Sequence, residues 1–208
     1  MLTERGVLAL NGHLLAVSDL HVAYADNRDI VSSLRPGTDA DWLIVAGDVG
    51  EKVADVERAM TLLSERFARV VWVPGNHELW THPSDPVRLR GEARYLHLVD
   101  LCRSLGVLTP EDPYPVWEDA DGPVTLAPLF LLYDYTFRAP GATTRDWHRR
   151  FRAAAVIYGH LHIPRVTHHD GVRFEEVSIG YPREWRARPP REPLRTVRLS
   201  PRPFGDAP

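Results

Sequence analysis

Four short apolar runs, each ending in polar residues able to hold an ion, constrain this chain more than any other feature. Leu14-Leu15-Ala16-Val17 ends in Ser18-Asp19-Leu20-His21, and Trp42-Leu43-Ile44-Val45-Ala46 ends in Gly47-Asp48. Val70-Val71-Trp72-Val73 leads into Pro74-Gly75-Asn76-His77-Glu78, and Ala154–Tyr158 leads into Gly159-His160-Leu161-His162. Near-continuous apolar runs of this length suit strands buried on both faces, which require helices above and below the sheet. Residues i and i+2 leaving a strand point to the same side. Asp19 with His21, and His160 with His162, can therefore each reach one point beyond a carboxyl end. That is where open α/β sheets bind ligands.

The intervening segments agree with a layered α/β domain. Val53, Val56, Met60, Leu63 and Phe67 trace one helical face, and a second helix is expected over Arg90–Leu105. The second turns Tyr95, Leu98, Val99, Cys102 and Leu105 inward and stops at Gly106. Thr143 or Thr144 caps a shorter helix that buries Trp147 and Phe151. Further strands are expected at Val124–Leu132, Arg165–Thr167 and Val172–Ile179. Alternating strands and helices give an α/β architecture, and 208 residues, 44% of them hydrophobic, suffice for one domain.

Residues 1–185 are read as that domain and 186–208 as a Pro/Arg-rich tail. The tail carries six arginines against Glu192 and Asp206, and reads as a solvated terminus with a short strand at Leu194–Leu199. The net charge of -3 predicts no nucleic-acid partner. No run of 18 apolar residues and no basic-then-apolar leader occurs, so neither a membrane span nor a secretory signal is expected. The single cysteine, Cys102, reads as a core residue and agrees with a reducing cytoplasm.

Carboxylate oxygen, amide oxygen and imidazole nitrogen together suit borderline divalent ions such as Mn²⁺, Fe²⁺ or Zn²⁺. No thiolate contributes, which argues against a structural zinc site. Asp48, standing between the other candidates, is the natural bridge between two ions. Such a pair, about 3.5–4 Å apart, clamps a phosphoryl group and activates water. Gly47, Gly75 and Gly159 permit the tight turns that a crowded cluster needs.

In this order, Asp19-x-His21, Gly47-Asp48, Gly75-Asn76-His77-Glu78 and Gly159-His160-x-His162 resemble the calcineurin-like metallophosphoesterase family. The likeness spans Leu14 to His162 and implies a four-layer α/β/β/α sandwich and a hydrolase acting on phosphoric esters. It implies that Asp19, His21, Asp48 and His162 hold a first ion, and that Asp48, Asn76 and His160 help hold a second. The ions implied are Mn²⁺, Fe²⁺/Fe³⁺ or Zn²⁺. His77 is implied as the group that protonates the leaving alkoxide or stabilises its charge, assisted by a carboxylate that Asp48 could supply.

Longer stretches narrow the likeness. Asp41–Asp48, Trp72–Trp80, Leu131-Leu132-Tyr133-Asp134-Tyr135, Tyr158–Arg165, Asp170–Ser178 and Gly180-Tyr181-Pro182-Arg183-Glu184-Trp185 resemble an actinobacterial branch that includes a phosphopantetheinyl hydrolase. That implies a phosphodiester substrate, a prosthetic arm on an acyl or peptidyl carrier protein.

One departure stands out. The family places a further ligand histidine on a strand between Asn76 and the Gly-His-x-His turn. Between Asp134 and Gly159 only His148 is present. A segment holding that strand, and part of a cap over the substrate, reads as deleted between Asp134 and Trp147. The second ion site is then completed by water or another side chain, or only one ion binds. The latter would give different chemistry on a small phosphorus- or carboxylate-containing metabolite, or a non-catalytic binding protein. His148, His82, His97 and Asp134 are the candidate substitutes, although each also suits a surface or core-edge position. An exposed sheet edge would favour a homodimer. Trp42, Trp72 and Trp80 read as core or rim packing, while Tyr133, Tyr135, Arg138 and Arg183 are candidates to touch the phosphate or its leaving group. His168-His169 precedes the turn signal Asp170-Gly171, and His13 follows Asn11-Gly12, so these histidines read as exposed turn residues.

Overall fold

The four residues of β1 (Leu14–Val17) are all buried, as a central strand with two covered faces requires. β2 (Trp42–Ala46) and β3 (Arg69–Val73) lie parallel to it, with Leu14 opposite Trp42 and Leu43 opposite Val70. Parallel neighbours need crossovers. α1 (Ala25–Ser33) supplies the first and α2 (Val53–Ser64) the second. α2 buries Val53, Val56, Ala59, Met60 and Leu63, the face traced in the sequence; it ends at Ser64, and Phe67 is buried from the turn beyond. α3 (Asn76–Leu79) is one turn at the end of β3, and α4 (Gly91–Ser104) adds Leu98, Val99 and Cys102 to the same core. Gly106, with φ +73°, stops α4 as expected. These elements belong to a computed structural model that describes residues 12–130, 153–187 and 192–199.

β4 (Val116–Asp119) and β5 (Gly122–Thr125) form a small hairpin. This corrects the expected strand at Val124–Leu132: the strand lies earlier and residues 126–130 do not extend it. The partner strand explains the stop. Leu126 N–H still donates to Pro115 O at 2.9 Å, but Pro115 and Pro113 have no N–H to continue the ladder.

The second sheet has the order β6-β8-β7, built from β6 (Ala155–Tyr158), β7 (Val166–His169) and β8 (Val172–Glu176). β6 runs parallel to β8, and β7 pairs antiparallel with β8 through Asp170-Gly171, both at positive φ. His168 and His169 are exposed, as that turn predicts. α5 (Pro182–Trp185) follows β8. Within the tail, β9 (Arg195–Thr196) pairs antiparallel with β1, giving the first sheet the order β3-β2-β1-β9. The expected helix after Thr143, the Tyr133–Tyr135 segment and the junction between Asp134 and Trp147 lie outside the described residues. No helix among the described residues is long and apolar enough to cross a membrane.

Candidate functional site

The loops after the strands are laced together by backbone hydrogen bonds that continue the ladders past their ends. Asp19 N–H donates to Gly47 O, His21 N–H to Asp48 O and Val22 N–H to Val49 O, all near 3 Å. On the other side, Ser18 N–H donates to Val177 O and Gly180 N–H to Asp19 O, so the end of β1 is shared by both sheets. Asn27, from α1, pins Leu20 O and Gly180 O at 2.8 and 2.9 Å.

This lacing forces an unusual backbone. Asp19, His21, Asp48, His160 and His162 all lie at positive φ, between +42° and +90°; among the described non-glycine residues only Asp170 joins them. A left-handed conformation costs an ordinary residue about 1–3 kcal/mol, and such positions cluster where function demands them. Two neighbouring glycines are needed for space. A Cβ on Gly75 would stand 2.0 Å from Asp48 Oδ1, and one on Gly159 2.3 Å from Asp19 Oδ2.

His162 Nε2 lies 3.1 Å from Asp19 Oδ1 and 3.1 Å from His21 Nε2. One ligand atom from each of these buried residues falls within 4.8 Å of the other two. His162 Nδ1 lies 2.8 Å from the Glu184 carboxylate, which turns Nε2 towards the cluster; burial disfavours a charged ring, but the bonds to Asp19 and Glu184 outweigh it and raise the His162 pKa. A carboxylate behind an imidazole in this way is the usual support of a metal-bound histidine. Burial, aided by charge at His77, pushes His21 down to about 4, so its ring is neutral and able to ligate near pH 7. Burial opposes ionisation of Asp19, but bonds from His162, Ser18 and His160 hold its carboxyl below the usual range. Two imidazoles and an ionised carboxylate fit a borderline divalent ion.

Of the other expected ligands, neither Asp48 nor His160 joins a converging group among the described residues. Asp48 is buried, and burial pushes its carboxyl up. Asn76 opens α3 and is half-buried, while His160 is exposed with its N–H donating to both Asp19 oxygens. Of the proposed substitutes, His82 is exposed and bonded to Ser84 Oγ, and His97 is half-buried on α4. Neither belongs to a metal-capable group among the described residues. His148 and Asp134 lie outside them, as do Tyr133, Tyr135 and Arg138.

The His77 ring has a carboxylate neighbour that the sequence did not single out. Asp48 Oδ1 accepts the His77 backbone N–H at 3.0 Å, but the ring Nδ1–H donates to Glu51, at 2.7 Å. The carboxylate in contact with the ring is therefore Glu51 and not Asp48. The signal was present in the spacing Asp48-x-x-Glu51, on the same loop after β2. Burial disfavours the charged imidazole, yet the Glu51 bond and the nearby carboxylates outweigh it and raise the His77 pKa. His21, Glu51 and His77 also form a second group with converging ligand atoms.

Tyr181, Glu78 and Arg94 had no role assigned from the sequence, whereas Trp80 and Trp72 fall where rim and core packing was expected. Tyr181 stacks on His21, with centroids 4.4 Å apart, and its hydroxyl lies 3.5 Å from His77 Nε2. Trp80 packs on His77 at 4.1 Å and is half exposed, so it forms the rim, whereas Trp72 is buried in the core. Beneath, the buried Glu78 carboxylate accepts the N–H groups of Gly75, Asp48 and Val49. Arg94 donates to the carbonyls of Glu51 and Glu78.

Two sheets sharing the end of β1 beside an Asp/His cluster, with a carboxylate-held histidine next to it, have the form of a metallophosphoesterase. The sequence matches the calcineurin-like phosphoesterase family over residues 12–164, and the chain belongs to that family. It is 39% identical over 267 residues to the [acyl-carrier-protein] phosphodiesterase PptH of Mycobacterium tuberculosis, covering 88% of this chain and 82% of that one. The aligned length exceeds the 208 residues present here, so that relative has segments without a counterpart in this chain. The crystal structure of the phosphopantetheinyl hydrolase PptH from Mycobacterium tuberculosis matches with a TM-score of 0.83 and 38% identity, over 89% of this chain and 95% of that one.

Proposed function

We propose that this metallophosphoesterase is a phosphodiesterase that releases the phosphopantetheinyl arm from a carrier protein. The observation that carries the reading is the convergence of Asp19, His21 and His162 donor atoms beside a His77 ring anchored by Glu51. The substrate class rests on the likeness to PptH over most of the chain. Asp19, His21, Asp48 and His162 would hold one ion, and Asp48, Asn76 and His160 would help hold another. Mn²⁺, iron and Zn²⁺ all suit the set. When bound, such ions activate water as the nucleophile and neutralise phosphoryl charge. His77 Nε2, with Nδ1 fixed on Glu51, gives its proton to the departing serine alkoxide, and its raised pKa keeps that proton available. Trp80 and Tyr181 shield the ring from bulk water.

A single-ion site is the second reading. His160 is exposed and joins neither converging group among the described residues. We also place the protein in the cytoplasm as a homodimer. Its catalytic unit is residues 1–185, and 186–208 form a tail that β9 ties to β1. The buried Cys102, whose thiol burial pushes up to about 12, is inert and suits a reducing compartment.

Metal analysis of the purified protein, with turnover assays on bis(4-nitrophenyl) phosphate and on a holo carrier protein, tests this. The expected result is two ions per chain and turnover of both substrates. His77→Ala should lower kcat by about 10²–10⁴-fold. One ion with turnover selects the second reading. Absence of turnover with Mn²⁺, Fe²⁺ and Zn²⁺, or a His77→Ala enzyme of full activity, overturns the catalytic reading.

A further inference from the structure

Beside the ion cluster lies a hollow of about 350 Å³ walled by Tyr24, Asp26, Tyr181, Arg183 and Arg186. Tyr181 is the shared wall. Its ring stacks on His21 and its hydroxyl approaches His77 Nε2, while the same side chain lines the hollow. The hollow therefore adjoins the His77 side of the site across one aromatic ring.

The charges in the hollow are unbalanced. Arg186 is paired with Asp26. Arg183 sits 5.3 Å over the Tyr181 ring and has no carboxylate partner among the described residues. Glu184, its neighbour, bonds to His162 and to Tyr181 N–H and meets the Arg183 charge through space, without an ion-pair contact. One exposed guanidinium is thus held at the mouth by an aromatic ring, beside a half-exposed Tyr24.

We propose that this hollow docks the polypeptide side of the substrate: an acidic segment flanking the substituted serine, with a carboxylate on Arg183 and apolar atoms against Tyr24 and Tyr181. The inference rests on the carrier-protein reading above and assigns the leaving-group side of that substrate. The arm stays with the phosphate and needs no room here. Arg183 is then a specificity residue, because a small aryl diester has nothing to place in the hollow.

Steady-state kinetics of Arg183→Glu and Arg183→Ala in the full chain, on a holo carrier protein and on bis(4-nitrophenyl) phosphate, test it. Charge reversal should raise KM for the carrier protein about tenfold with little change in kcat. The loss in kcat/KM should be about tenfold greater on the carrier than on the aryl diester, with Arg183→Ala between the two. Added salt should raise the wild-type KM for the carrier protein and leave that of Arg183→Glu nearly flat. If both substrates are affected equally, or the carrier protein is cleaved as well as before, the docking proposal fails alone. A wild-type enzyme that cleaves no carrier protein sinks the substrate reading and this inference with it.

Discussion

Asp41, just before β2, shows what one side chain can fix. Its buried carboxylate accepts the backbone N–H groups of His13, Gly37 and Thr38 and the Thr38 hydroxyl, joining the entries of β1 and β2. Burial alone would raise its pKa, but these four donors pull it down to about 2. The unfolded value is near 4, so the folded form is the stronger acid. Its contribution is complete above about pH 4 and fades as pH falls towards 2; the linkage is about 2 kcal/mol. Urea titrations at neutral pH and near the bottom of that window should show wild type losing about 2 kcal/mol more than Asp41→Asn. Equal acid losses would refute this. At the site, residue types alone picked out the Asp19, His21 and His162 cluster, because Asp and His at strand ends have few structural uses together. They did not reveal Glu51, since a lone glutamate on a loop looks like any solvated one until His77 is placed beside it.

At the scale of elements, α4 is a lever under the site rather than a mere core helix. Arg94 is fully buried and donates to Asp85 at 3.0 Å, to Glu51 O at 2.7 Å and to Glu78 O. Arg94→Leu strands the Asp85 carboxylate in the interior and should cost about 3–5 kcal/mol in urea unfolding. Adding Asp85→Asn should recover part of that loss, and Arg94→Lys little, because an ammonium lacks the fork that spans three acceptors. A loss below 1 kcal/mol would show that the pair is dispensable. Sequence patterning could not find this: an arginine on a helix is ordinarily placed in water. The same patterning found α2 and α4 by their apolar stripes and missed α1, whose buried positions are only Asn27 and Val31. It misplaced β5 because apolar content continues past Thr125 while the partner strand's N–H groups do not.

For the whole molecule, the two sheets are joined at one seam, the Ser18–Ser178 bridge, and β9 covers the far edge of β1. Ending the chain after Ala187 removes the Leu15–Thr196 pairing, the Val197 N–H to Leu14 O bond and the Arg195 contact with Glu175. β1 then becomes an open edge. Loss of a few backbone bonds should cost about 2 kcal/mol, and the bare edge should promote self-association. Thermal unfolding and sedimentation velocity would show both; an unchanged melting temperature would mean that β9 contributes nothing. The layered architecture was legible because four strand-end motifs occur in one order along the chain. Closure by a two-residue strand within a Pro/Arg-rich tail left only a faint trace.

The left-handed turns have an implication for anyone redesigning this protein. Scored on backbone geometry alone, glycine is the cheaper residue at positions 19, 21, 48, 160 and 162. A stability-driven optimiser would therefore erase the proposed ion site first and report success. A drop in thermal stability on restoring it would measure what the site withholds from the fold.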